Sequence, residues 1–351
     1  MTGVAIVVTN CGASRNVSGQ PSVTTASATA QPSTPPEGKP LIWYSDSVGH
    51  LVALDWTGTP AGQLALNAST QTPDGSKLSS ASGEVYDPAG HLIGHTDLTK
   101  GRGPFWADDS SHVCSFVPPG GDFVQEGPGT IWLKTLDGQA RSVTSYGIFT
   151  GNAGPEVLAC SVSADRVVLA QRSIGWVTDV SAFTLSTGSR LYQRTYPAQQ
   201  IARVMASRDG LYLVEDWSVP GSPGLPGGGT VVRSLSDGTV LAQFADLEMV
   251  AFSWDGSVAV MEAKTRRIVQ AMLWRSSTVL WSAPFPNPAA GPQDFVPAIG
   301  VLARPGSSDL AVSISLEKAD SPSTELWLIS GGSGRLSLTA RIRPAFQSSS
   351  F

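Results

Sequence analysis

The chain has 351 residues, of which 41% are hydrophobic and 15% charged, with a formal net charge of −5 at pH 7. Lysine and arginine form no stripe, which excludes a nucleic-acid partner, because that recognition needs a basic footprint. The 37 glycines and 25 prolines fall between short apolar runs, the pattern of many short strands in an all-β sandwich, barrel or propeller.

Residues 3–8 (GVAIVV) are apolar and lead into Asn10-Cys11-Gly12-Ala13-Ser14. This resembles the end of a bacterial lipoprotein signal and implies lipidation of Cys11; the alternative is a plain apolar N-terminus. A membrane span needs about 20 apolar residues, so the only membrane attachment expected is a lipid anchor. Residues 12–40 are about half Ser, Thr and Pro and lack the apolar surface needed to offset their ordering entropy. As a coil they would span on the order of 30 Å, a tether length. The expected organisation is a signal-like segment over 1–11, a tether over 12–40 and a folded domain over 41–351. The expected location is the cell envelope outside the cytoplasm, lipid-anchored or secreted.

The domain opens at 41–66 with three strands, LIWYSD, HLVALDWTG and GQLAL. Six longer units follow, at 67–98, 104–146, 156–196, 201–244, 248–283 and 298–342, each reading as four strands joined by Asp-Gly or Gly turns. Their spacing of roughly 40–50 residues is the range of propeller repeats. The clearest is 248–283, where LEMVAFSW, Asp255-Gly256, SVAVMEA, RIVQAMLW and TVLWSAP follow in order; 67–98 has the turns but little apolar content. The opening unit lacks an inner strand, and the tail RPAFQSSSF (343–351) supplies one as AFQSS, which matches AFSWD at 251–255. We therefore expect a seven-bladed β-propeller of four-stranded antiparallel blades, closed by one C-terminal strand joining three N-terminal ones. Closure removes exposed sheet edges. Six blades with 41–66 as a lid is the alternative.

Asp-Gly meets the positive φ of a tight hairpin turn. The stretches Thr72-Pro73-Asp74-Gly75, Ser207-Arg208-Asp209-Gly210 and Ser253-Trp254-Asp255-Gly256 resemble the inner-hairpin turns of TolB-like and WD-repeat-like propellers of bacterial envelopes. That resemblance covers about 41–351 and implies recognition of envelope partners rather than a defined chemistry. Cys114 and Cys160 fall on strands of neighbouring units, and in an exported protein such a pair invites a disulfide. Two buried free thiols are the alternative. The four histidines show no zinc-ligand spacing, and no metal or cofactor is expected.

In a propeller the inner-hairpin and third-to-fourth turns share one face, and the second-to-third loops and blade connections share the other. The long insertions, at 117–129, 217–229, 284–295 and 316–323, belong to the second face, where binding residues usually sit. Candidates there are Phe123, Glu126, Asp216, Trp217, Phe285, Asp294 and Phe295. Trp217 could be an exposed anchor or could pack down on its own loop. Trp132, Trp274 and Trp327 recur at third-strand positions and are expected to pack between blades. Asp108, Asp109 and His112 sit at an inner-hairpin turn, where turn chemistry explains them, and no G-x-S-x-G elbow appears. The expected function is a non-enzymatic, monomeric binding or scaffold module for a protein, peptide or glycan of the envelope. The alternative is a hydrolase or lyase on an extracellular polymer, with acids near the channel.

Overall fold

The computed structural model describes residues 39–46, 50–66, 68, 70–80, 82–96, 105–119, 127–149, 155–173, 176–197, 201, 203–217, 229–263, 266–285, 296–317, 323–340 and 343–344. All of them belong to the unit Pro32–Phe351. They form seven four-stranded antiparallel sheets, the blades of a propeller, and include no helix.

Blade 1 holds β1 (Leu41–Ser45), β2 (Leu51–Asp55) and β3 (Pro60–Leu64). Blade 2 is β4 (Thr70–Gln71), β5 (Leu78–Ser79), β6 (Glu84–Tyr86) and β7 (Leu92–His95), and blade 3 is β8 (Phe105–Trp106), β9 (His112–Val117), β10 (Gly127–Thr135) and β11 (Ala140–Phe149). Blade 4 is β12 (Pro155–Ser161), β13 (Arg166–Ser173), β14 (Trp176–Thr184) and β15 (Arg190–Thr195). Blade 5 follows with β16 (Arg203–Ala206), β17 (Tyr212–Trp217), β18 (Gly229–Ser234) and β19 (Val240–Phe244). Blade 6 is β20 (Glu248–Phe252), β21 (Val258–Ala263), β22 (Ile268–Leu273) and β23 (Thr278–Pro284). Blade 7 is β24 (Val296–Ala303), β25 (Leu310–Glu317), β26 (Ser323–Ser330) and β27 (Ser333–Ala340).

The last strand, β28 (Arg343–Pro344), is the inner strand of blade 1. Tyr44 faces Pro344 and Ser45 faces Arg343 across the antiparallel pair. Seven blades and the one-plus-three closure are therefore as expected. The observed pairing falls two residues before AFQSS, which lies outside the described residues.

Sequence pattern follows position in the blade. Second strands are flanked within their own blade and covered by neighbouring blades on both faces, so β13, β17 and β21 carry unbroken buried runs through VVLA, LVEDW and VAVM. Fourth strands lie at the rim, so β15 alternates partly covered with exposed positions. The core is divided among the blade interfaces. One buried cluster lies at each of the seven, including Ile42, Tyr44 and Leu54 against Leu302, Ala311, Leu326 and Leu328 where blade 7 meets blade 1. The joint between blades 2 and 3 is thin, with Val85, Trp106 and Val113 its buried members.

Tryptophans fill these joints. Trp274 is fully buried with residues of blades 5 and 6 around it, and the Trp327 ring lies 5.3 Å from that of Trp281 of blade 6, tilted by 56°. Gly334 permits that packing, because a Cβ there would lie 2.0 Å from the Trp281 ring. Trp132 is partly buried. Cys114 of β9 and Cys160 of β12 form a disulfide between blades 3 and 4, both in the core at 1% and 0% exposure.

Candidate functional site

The inner-hairpin turns of successive blades meet around one mouth of the central channel. Their construction repeats. In blades 2, 5 and 6 a hydroxyl (Thr72, Ser207, Ser253) donates to the aspartate two residues on, at 2.8, 2.6 and 2.7 Å. The same oxygen accepts the amide five residues on (Lys77, Tyr212, Val258), each at 2.9 Å. The following glycine closes the turn at positive φ, as at Gly75 with φ 70°. A Cβ there would sit 2.3 Å from the Leu41 carbonyl oxygen, so glycine is required by both conformation and space.

Neighbouring turns are laced together. Leu41 N donates to Asp74 O at 2.9 Å, Lys77 Nζ to Ser110 O at 2.7 Å, and Arg166 Nη1 to Gly210 O at 2.9 Å. Asp108 accepts Val162 N and Ser161 Oγ, each at 2.7 Å, and also Ser163 Oγ. Asp109 accepts Ser111 N at 3.0 Å and pairs with His112 Nδ1 at 2.6 Å. The Asp108, Asp109 and His112 group is thus bound up in turn and inter-blade hydrogen bonds.

Arg208 differs. It occupies the second position of its turn, where Pro73 and Trp254 stand in the related turns. Its guanidinium carbon lies 5.0 Å from the centre of the Trp254 ring of blade 6. Its Nε is sealed from solvent without a hydrogen-bond partner, although the side chain as a whole keeps partial exposure. Burial pushes its pKa down to about 10, against the opposing pull of Asp108 and Asp74. No contact of the sequence pattern drew attention to this arginine; the signal was a bulky cation at a turn position that turn chemistry does not require.

At the loop face, the expected candidates separate. Phe123, Glu126, Asp294, Phe295 and Cys11 lie outside the described residues. Trp217 is only 8% exposed and its indole Nε1 donates to Glu215 Oε2 at 3.3 Å. The exposed-anchor reading of Trp217 is therefore corrected: the ring packs into the joint of blades 4 and 5. Phe285 is likewise buried, between blades 6 and 7. Asp216 is buried too, with Thr230 Oγ1 at 2.8 Å and Arg203 Nε at 3.6 Å. Arg203 also pairs with Glu248 and donates to Met249 O at 2.9 Å.

Beside it lies Glu215, 0% exposed, which the sequence reading did not single out. Arg194 Nε and Arg233 Nε stand 2.7 and 2.9 Å from its two oxygens, and Tyr196 Oη donates to it at 2.8 Å. Burial, then the charge of Glu215 and this hydrogen bond, raise the Tyr196 phenol well above its ordinary pKa. A charged residue inside the apolar run YLVEDW was the available signal. The network holds the end of β17 to blade 4 through Arg194 and Tyr196 and to β18 of its own blade through Arg233.

A cleft of about 180 Å³ also opens at the thin joint of blades 2 and 3, with His95, Lys134 and Gln139 on its polar side and Val113 and Leu136 on its apolar side. Among the described residues no group of three or more His, Cys, Asp or Glu is placed to hold a metal.

No protein-family model matches the chain, and no curated protein matches it. Solved structures do match. An oligogalacturonate lyase in complex with manganese is 12% identical, with a TM-score of 0.53 over 79% of this chain and 82% of that one. The β-propeller domain of Cps50 (Swd1) from Myceliophteria thermophila is 12% identical, with a TM-score of 0.47 over 78% and 89%. KlHsv2, with its loop 6CD replaced by a Gly-Ser linker, is 9% identical, with a TM-score of 0.47 over 87% and 99%. At such identities the likeness concerns the fold.

Proposed function

We propose that the chain is a non-enzymatic binding or scaffold module of the cell envelope, outside the cytoplasm, that engages a protein, peptide or glycan through its loop face. The observation that carries this reading is the locked end of β17. Glu215 and Asp216 tie it to Arg194, Arg203 and Arg233, so the insertion at 218–228 departs from a rigid rim. Variable loops on a fixed scaffold are the usual arrangement for recognition.

Two further observations support the reading. For Asp55, Asp74, Asp87, Asp109 and Asp255, burial disfavours ionisation, but hydrogen bonds from turn amides and hydroxyls outweigh it and hold the carboxyls below their ordinary range. A general acid needs the opposite displacement. The Cys114–Cys160 bond fits an oxidising compartment. The second reading, an enzyme acting on an extracellular polymer, draws on the fold shared with the oligogalacturonate lyase.

The test is cross-linking capture from cell envelopes with the full chain. A parallel bait carries Phe123→Ala, Glu126→Ala, Asp294→Ala and Phe295→Ala and leaves the buried Trp217 in place. A partner taken by the first bait and lost by the second supports the proposal. A partner kept by both, or none with either, refutes it and directs attention to polymer substrates.

A further inference from the structure

The cleft between blades 2 and 3 exists because blade 2 is short. β6 and β7 offer 3 and 4 residues where β10 and β11 offer 9 and 10, so the outer part of the blade 3 face is left uncovered. β7 also meets that face with a glycine: the nearest neighbours of a Cβ on Gly94 would belong to Leu136, the first at 3.5 Å. Apolar contact at this joint is correspondingly thin, with Leu136 packed against Val85, Trp106 and Val113. What remains is a hollow of about 180 Å³.

The hollow has a buried floor and an open rim. Val113, Ser115 and Thr96 are buried, whereas His95, Gln139 and Ala140 are exposed. One wall is the turn between β10 and β11, and there a Cβ on Gly138 would meet nothing within 4 Å. That side stands open to solvent. Volume limits the occupant: a cavity of about 150 Å³ holds benzene, so this one takes a six-membered ring or a short chain with one small group attached.

The lining narrows the choice further. Among the described residues it contains no Asp or Glu, whereas Lys134 brings a positive charge and His95 a nitrogen that donates in either protonation state. Two carboxylates stand nearby but outside the lining, and both are engaged. Glu84 faces His95 across the β6–β7 ladder and accepts the hydroxyls of Ser82 and Tyr86, each at 3.0 Å. Asp137 accepts Thr135 Oγ1 and, at 3.2 Å, Gln139 Nε2. A cationic occupant would be repelled by Lys134 and would find no carboxylate in the lining. A bare inorganic anion would leave Val113, Leu136 and the lysine stem unmatched. Concave sites of this make-up hold ligands with an apolar body and a polar end fixed by a few groups.

We propose that this cleft binds a small organic anion of about benzoate size, its apolar body against Val113 and Leu136 and its charged head toward Lys134 and His95. The site lies away from the long loops and is independent of the function proposed above. A carboxylate on an aromatic ring and one on a short aliphatic chain share this chemistry.

The test records methyl ¹H–¹³C spectra of the full chain labelled at leucine and valine. The Leu136 signal is identified by its loss in Leu136→Ile, or the Val113 signal by its loss in Val113→Ile if the first variant does not fold. Benzoate, benzyl alcohol, benzylamine and inorganic phosphate are titrated separately. The expected result is a saturable shift with benzoate, at least ~10-fold tighter than with benzyl alcohol, because a hydrogen bond to a charged group contributes about twice as much as a neutral one. Benzylamine and phosphate should each bind more weakly than benzoate. Lys134→Gln should remove the preference for benzoate and leave the affinity for benzyl alcohol unchanged, which shows the cleft intact. Hexanoate, titrated next, tells a ring from a chain. A cleft signal unmoved by benzoate, an equal response to any of the other three compounds, or a Lys134→Gln variant that keeps the preference overturns the proposal.

Discussion

Reducing the Cys114–Cys160 bond should cost the fold about 4 kcal/mol. The two residues are 46 apart in sequence. Cross-linking removes roughly 2.1 + 1.5R ln n cal/mol/K of entropy from the unfolded chain, which for this loop comes to about 13.5 cal/mol/K, or ~4 kcal/mol at 25 °C. The change leaves the core almost untouched, because both sulfurs stay in the same buried cluster beside Ile131, Val167 and Leu169. Protein unfolded under reducing conditions and refolded with the reductant kept present is compared with the oxidised form by urea titration. The reduced form should have the lower midpoint and a slope at least as steep, because its unfolded chain is less constrained and exposes more surface. Unfolding free energies that agree within the 10–15% extrapolation error would refute the argument. They would mean that the bond joins two blades whose relative placement survives unfolding.

Removing Glu215 by Glu215→Ala leaves Arg194, Arg233 and Tyr196 without their shared acceptor. The expected loss is about 3–5 kcal/mol, with Glu215→Gln less severe, as read from denaturant midpoints. Deleting 343–351 removes β28 and opens the ring; an unchanged melting curve would contradict closure through Tyr44 and Ser45. Gly334→Ala forces its Cβ against Trp281 and should cost about 1–3 kcal/mol, seen as a lower Tm. Because the folded pKa values of Asp74, Asp109 and Asp255 lie below their unfolded values, the stability they contribute is present above about pH 4 and is lost as pH falls through the folded values. Asp74→Asn with Asp255→Asn should flatten the acid limb of a stability-against-pH curve; an identical limb would count against the turn hydrogen bonds.

What was legible in the chain was local. The hydroxyl-x-Asp-Gly turns and the apolar runs between them are set by neighbours a few residues away, so seven blades could be counted even where blade 2 has strands as short as Thr70–Gln71 and Leu78–Ser79. Register was not local. The described pairing, Tyr44 with Pro344 and Ser45 with Arg343, depends on the partner strand β1 as well as on the tail, and AFQSS lies outside the described residues. Trp217 shows a second limit: an indole at a strand end reads the same whether it faces a loop or a joint. Here a buried carboxylate two residues earlier, Glu215, holds it inward. Arg208 was hidden for the opposite reason, since its turn satisfied every rule of turn chemistry and the unusual residue within it changed none of them.

The one-plus-three blade also sets the order of events in time. Among the described strands β28 leaves the ribosome last, yet its partner β1 is the first, some 300 residues earlier. Until that late strand arrives, the inner edge of β1 lacks its partner, and Ile42 and Leu54 must find Leu302, Ala311, Leu326 and Leu328 of blade 7 across the same long separation, while blades 2 to 7 can assemble from neighbours in sequence. Loops of such length close slowly, and a half-shut ring exposes sticky edges in the meantime. Assembly should therefore be fast for six blades and slow for the seventh, making the final snap the step most vulnerable to proteases and the one at which a holding chaperone would matter.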